Sequence, residues 1–90
     1  MAFRALFSPH AVKAYRELSA DKKGRIDEAM LAVIGSPTRG PQIKRLKGHL
    51  KDYYRCRVGE LRIIYAVSTQ KREVCVDYLD HRKGGYRRLS

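Results

Sequence analysis

Apolar and polar positions change period along the chain, and the changes mark its elements. Residues 2–7, "AFRALF", alternate in part and carry two phenylalanines, which predicts a short first strand. Ser8 can then cap a helix, and Pro9 fits a first helical position, where its missing N–H costs nothing. Val12, Tyr15 and Leu18 give that helix, over 9–18, a narrow apolar stripe. A second helix is predicted over 21–35, because Ile26, Ala29, Met30, Val33 and Ile34 recur at i, i+3, i+4, i+7 and i+8. Gly24 weakens its first turn, and Gly35 and Pro37 end it. Two successive helices with a short joint predict an α-hairpin lying across a sheet.

Residues 36–51, "SPTRGPQIKRLKGHLK", are turn-rich and basic, and read as a loop. Three strands are predicted after it, over about 52–58, 61–67 and 73–79, and the tail "DHRKGGYRRLS" is too glycine-rich to predict a helix. The expected fold class is therefore α+β. It is one small domain over residues 1–90, ordered β-α-α-β-β-β, with a twisted, mostly antiparallel sheet and the α-hairpin on one face.

The stretch "DYYRCRVGELRIIYAV" fixes a register. Gly59-Glu60 is a two-residue loop with Gly first, the signature of a type II′ turn. It pairs Val58 with Leu61, Arg57 with Arg62, Cys56 with Ile63, Arg55 with Ile64 and Tyr54 with Tyr65. Alternation then sorts the faces. Tyr54, Cys56, Val58, Leu61, Ile63, Tyr65 and Val67 form an apolar face for the helices. Tyr53, Arg55, Arg57, Arg62, Ile64 and Ala66 share the other. Arg57 and Arg62 stand directly opposite, an arrangement that costs stability.

Charge changes this picture. The chain holds 20 Lys+Arg against 9 Asp+Glu, a net +11, which points to an anionic partner. The excess is uneven. Residues 1–40 hold seven basic against four acidic side chains, and residues 41–90 hold thirteen against five. Three guanidiniums on one rigid face suit phosphate, since each is a planar fork of donors that stays charged at any working pH. Tyr53 shares that face and can stack on a base. Lys44, Arg45, Lys47, His49 and Lys51 extend the positive field upstream as RNA-binding candidates, or form a solvated basic loop.

Cys56 and Cys75 lack CxxC spacing and read as core filler in a reducing cytoplasm rather than a disulfide or metal pair. The N-terminus has no apolar signal region and no run approaches 18 apolar residues, so a cytoplasmic protein without membrane attachment is expected. No ligand cluster has zinc or magnesium spacing, and neither cofactor nor small-molecule substrate is expected.

Four motifs in order carry a resemblance: Leu46-Lys47-Gly48; Tyr54-Arg55-Cys56-Arg57-Val58-Gly59; Arg62-Ile63-Ile64-Tyr65; and His81-Arg82 with Tyr86. Together they resemble the RelE/ParE superfamily of bacterial toxins from type II toxin–antitoxin modules. The chain departs from it at Asp80, where many members have Gly, and at Gly84-Gly85. The resemblance implies either of two activities. RelE-like members are metal-independent endoribonucleases that cut mRNA in the ribosomal decoding site. ParE-like members share the fold, largely lack the catalytic set and poison DNA gyrase. Basic residues at 55, 57, 62 and 82, with His81 and Tyr86, favour the RelE-like branch, with a cognate antitoxin, the ribosome and mRNA as partners.

Metal-free RNA cleavage needs the 2′-hydroxyl deprotonated, the phosphorane stabilised and the 5′-oxygen protonated. Arg55, Arg57, Arg62 and Arg82 are expected to meet the transition-state charge. His81 is the natural proton-transfer group, or a loop histidine held by Asp80. Tyr86 is expected to stack on the target base or move a proton, or to pack the tail on the sheet. Dense positive charge is expected to lower the pKa of a neighbouring His or Tyr. A gyrase inhibitor and a non-catalytic nucleic-acid-binding module remain the alternatives.

Overall fold

The computed structural model describes residues 2–80, in the order β1 (Arg4–Phe7), α1 (Pro9–Arg16), α2 (Ala20–Gly35), β2 (Ile43–Arg45), a 3₁₀ turn (Gly48–Leu50), β3 (Tyr53–Val58), β4 (Leu61–Ser68) and β5 (Glu73–Asp80). Both helices start on a serine. Ser8 Oγ accepts from Ala11 N–H at 3.1 Å, and Ser19 Oγ accepts from Lys22 N–H at 3.3 Å. Pro9 takes the first helical position, as the sequence predicts. Ser8 Oγ also donates to the Asp77 carbonyl at 2.8 Å, which ties the start of α1 to β5.

The five strands form one sheet in the order β1-β5-β4-β3-β2. β1 runs parallel to β5, and the other three pairings are antiparallel. The α+β class, the helical hairpin and the mostly antiparallel sheet are as expected. One element is not. The loop predicted over 36–51 contains β2 and the 3₁₀ turn, so the order is β-α-α-β-β-β-β. β2 is three residues on a sheet edge, two of them charged, and it joins through backbone bonds that need no apolar pattern. Arg57 N–H donates to Gln42 O at 2.9 Å, and Leu46 N–H donates to Tyr53 O at 3.0 Å.

The β3–β4 register is as the two-residue loop dictates, from Val58 opposite Leu61 to Tyr54 opposite Tyr65. Gly59 has φ +61° while Glu60 is not in the positive-φ region, as a type II′ turn requires. The helices bury Ala11, Ile26, Met30 and Val33 against Cys56, Leu61, Ile63, Tyr65, Val74, Val76 and Leu79 of the sheet. Burial of this kind contributes roughly 1.5–3 kcal/mol for each large aliphatic side chain. Tyr15 Oη donates to Asp27 Oδ1 at 2.8 Å and clasps α1 to α2. Tyr65 is fully buried, and its hydroxyl donates to the Pro37 carbonyl at 2.7 Å, which anchors the segment after α2 to the sheet.

β5 is irregular at its centre. Opposite Ile64 and Tyr65 of β4 stand Tyr78 and Val76, leaving Asp77 as the extra residue of a β-bulge. Val74, Val76 and Leu79 all belong to the core, so Asp77 and Tyr78 both fall outside the helix-covered layer.

Candidate nucleic-acid interface

The sheet face away from the helices is built in rows across the strands. Lys44 of β2 pairs with Arg55 of β3, which pairs with Ile64 of β4, which pairs with Tyr78 of β5. One row away, Arg57 pairs with Arg62 and Arg62 with Asp80. On the other side, Tyr53 pairs with Ala66 and Ala66 with Cys75. Rows on one face lie roughly 6–7 Å apart along a strand, and neighbouring strands roughly 4.8 Å apart. Four cations therefore occupy two adjacent rows as two directly opposed like-charged pairs, Lys44–Arg55 and Arg57–Arg62.

Such pairs destabilise a sheet unless an anion or local screening offsets them. Their exposure differs. Arg57 and Lys44 are exposed, while Arg55 and Arg62 are half-buried. Arg55 Nε is a buried donor with no hydrogen-bond partner among the described residues. An unmade bond on a charged donor is costly, so this atom is short of an acceptor. The face is not purely polar: Ile64 is only 1% exposed, as deeply buried as the main core.

Several expected residues fall elsewhere. Arg45 pairs with Tyr54 and so lies on the helix-side parity. Its Nε donates to the Lys51 carbonyl at 2.7 Å, and its guanidinium sits 6.0 Å from the Tyr54 ring centroid. Arg45 is thus held by its own neighbours and does not join the array, because strand alternation admits only one of Lys44 and Arg45. Lys47, His49 and Lys51 are exposed between β2 and β3. Cys56 is core, and burial pushes its thiol pKa up, with Arg55 pulling the other way. Cys75 is no core filler: it is half-exposed in the Tyr53 row. His81, Arg82 and Tyr86 lie outside the described residues.

Tyr53 stands on the arginine face as predicted, but its phenol behaves differently from expectation. Its hydroxyl donates to Asp77 Oδ2 at 2.8 Å. That bond, then burial, then the charge of Asp77 push its pKa above the usual value, where nearby arginines were expected to lower it. The adjacent carboxylate wins because it is in direct contact. A further pair lies at the rim, where the His10 ring meets the Tyr78 ring edge-on at 4.4 Å between centroids. Sequence reasoning missed the placement of Tyr78 and His10. The signal was present in "EVCVDYLD", whose apolar positions 74, 76 and 79 step by two and then by three, the spacing a bulge leaves.

Among the described residues no three His, Cys, Asp or Glu side chains come together as a metal site. A cleft of about 570 Å3 lies between β1 and the helices, lined by Phe7, Val12, Ile26, Met30 and Leu31. Among the described residues its charged lining, Arg16 and Asp27, is opposite in sign, so it does not suit phosphate. Among the described residues no helix is long and apolar enough to cross a membrane.

The fold matches solved toxins. The RelBE2 toxin–antitoxin complex of Mycobacterium tuberculosis superposes with a TM-score of 0.82 at 20% identity, covering 91% of this chain and 100% of that one. The intact RelBE complex of E. coli gives 0.79 at 23% identity, covering 91% and 99%. The archaeal RelE–RelB complex of Pyrococcus horikoshii OT3 gives 0.76 at 25% identity, covering 89% and 94%. No curated protein sequence matches the chain. The family model described as the ParE toxin of the type II toxin–antitoxin system parDE matches residues 5–86. With nearly the whole chain matched in sequence and the same fold in three dimensions, the chain belongs to the ParE toxin family of type II toxin–antitoxin systems, within the RelE/ParE superfamily.

Proposed function

We propose that the chain is a toxin that inhibits translation by cutting mRNA on the ribosome, without a metal, through attack of the 2′-hydroxyl on the adjacent phosphate. One observation carries the reading: Lys44, Arg55, Arg57 and Arg62 share two adjacent rows of one sheet face as opposed like-charged pairs. Folding alone does not reward that arrangement, whereas a phosphorane with its extra negative charge does. Arg55 is half-buried and its Nε unbonded among the described residues; turned outwards, that donor is one such an oxyanion would satisfy. Arg55, Arg57 and Arg62 are assigned to transition-state charge, together with Arg82. His81 is assigned to proton transfer and Tyr86 to stacking or proton transfer. Lys44, Lys47 and Lys51 hold the RNA backbone.

The partners in this reading are the ribosome, mRNA and a cognate antitoxin, and the setting is the cytoplasm. The solved relatives in complex with antitoxins support the last partner. An acidic or amphipathic antitoxin segment over the arginine face would neutralise the toxin by covering its charge.

The test is to map mRNA 5′ ends after brief induction in bacteria, comparing wild type with Arg62→Ala. Cuts at in-frame codon positions in the wild type alone are expected. Arg62→Ala should melt within a few degrees of wild type, because Arg62 stands between repulsive Arg57 and attractive Asp80. A second reading, inhibition of DNA gyrase, is favoured by the ParE description of the matching family. Growth arrest with altered plasmid supercoiling and no mRNA cuts would establish it instead.

A further inference from the structure

We propose that the Tyr53 ring is a stacking platform for one nucleobase of single-stranded RNA, and that Asp77 is the residue that positions it. The proposal rests on the RNA reading above and adds to it a base site beside the phosphate site. Tyr53 starts on β3, and its hydroxyl reaches Asp77 on β5, two strands away. The side chain must therefore pass over β4, starting beside its cross-strand partner Ala66, whose side chain is a single methyl. Tyr53 is only half-buried, so part of its ring is open to a base.

The bulge makes this contact possible. In a regular strand Asp77 would be followed by an inward-facing residue 78. The extra residue instead leaves Asp77 and Tyr78 both on the open side, with Leu79 returned to the core. Tyr53 is half-buried and stays protonated through the working pH range, so its hydroxyl remains a donor to the carboxylate. It is two residues before Arg55 on the same face, roughly 6–7 Å away. A phosphate held by Arg55 would thus bring its own or the adjoining base over Tyr53. Aromatic stacking is tolerant of base identity, which suits a surface that meets many mRNA sequences.

The test compares binding of a 2′-O-methyl hexamer of adenosines, which cannot be cut through a 2′-hydroxyl, with that of the same backbone lacking bases. Wild type should prefer the hexamer with bases by roughly tenfold, the contribution of one stacked base. Tyr53→Ala should bring that ratio at least fivefold closer to one, with affinity for the base-free strand unchanged. Tyr53→Phe and Asp77→Ala each break the same hydrogen bond, so they should lower the ratio equally, and the double variant no further. Loss of the Asp77 charge strengthens binding of both strands alike and cancels in the ratio. Should Tyr53→Ala fail to fold, these two variants carry the test.

Equal binding of both strands by wild type, or an unchanged ratio in Tyr53→Ala, overturns the platform. If mRNA is cut in cells while both strands bind equally, the nuclease reading stands and the platform falls. A base preference lost in Tyr53→Ala without mRNA cleavage supports the platform, and the nuclease reading falls.

Discussion

Tyr65 joins three features that rarely coincide in one side chain. It is fully buried, it donates to the Pro37 carbonyl at 2.7 Å, and its ring stacks on Tyr54 with centroids 5.9 Å apart. Burial disfavours the phenolate and pushes its pKa well up. Tyr53 shifts the same way because it donates to Asp77. A folded-state pKa above the unfolded value of about 10 means the neutral phenol is favoured on folding. The resulting stability is complete below about pH 10 and is lost as pH rises towards the folded value. Tyr65→Phe should therefore cost roughly 1–3 kcal/mol at pH 7, leaving the Pro37 carbonyl without its donor. The variant should also decline less steeply than wild type above pH 10. Urea denaturation at pH 7 and pH 10.5 checks both. Parallel declines would show that another group governs the alkaline limit.

At the scale of elements, legibility followed from how each strand is specified. The β3–β4 hairpin was readable to the residue because a two-residue loop permits one register, and that register decided where Arg55, Arg57 and Arg62 point. Helix α1 was readable from its Ser8 cap, Pro9 and apolar stripe, and α2 from its 3.6-residue apolar period, although its Ser19 cap went unread. β2 was not, because an edge strand of Ile-Lys-Arg is held by backbone bonds to β3 and carries no alternation. The parallel pairing of β1 with β5 was hidden too, since it joins residues some seventy positions apart with no turn between them. As for the site, alternation placed the arginines but could not choose between Lys44 and Arg45 without β2. The turn offers a direct check. Gly59 has φ +61°, and a Cβ there would meet Arg25 Nη1 at 3.5 Å, an ordinary contact. Gly59→Ala should thus cost only the backbone term, about 1–3 kcal/mol. Chemical denaturation with an unchanged m-value would measure it, and a loss below about 0.3 kcal/mol would mean the turn is not of this type.

Across the whole molecule, the sheet separates the helix-covered apolar core from a face that gathers opposed cations. The helices cover one side, and beside them the cleft with Phe7 and Leu31 is nearly uncharged in sum. The other side gathers Lys44, Arg55, Arg57 and Arg62. A net +11 spread evenly would attract RNA from every direction, and the salt dependence of binding tells the two cases apart. Each phosphate neutralised on a single strand contributes about −0.7 to the slope of log K against log salt. The seven cations assigned to RNA, the four of the array with Lys47, Lys51 and Arg82, predict a slope of about −5, whereas engagement of the full net charge predicts about −8. Arg62→Ala should make the slope shallower by about 0.7, and Arg16→Ala, on α1 beside the apolar cleft and on the helix side of the sheet, should leave it unchanged. Titrating a labelled single-stranded RNA between low and moderate salt decides this. A slope near −8, or equal sensitivity to Arg16→Ala and Arg62→Ala, would mean that RNA meets a diffuse positive field. The focused slope would instead mean that the opposed cation pairs, costly to the fold, act together on one stretch of backbone.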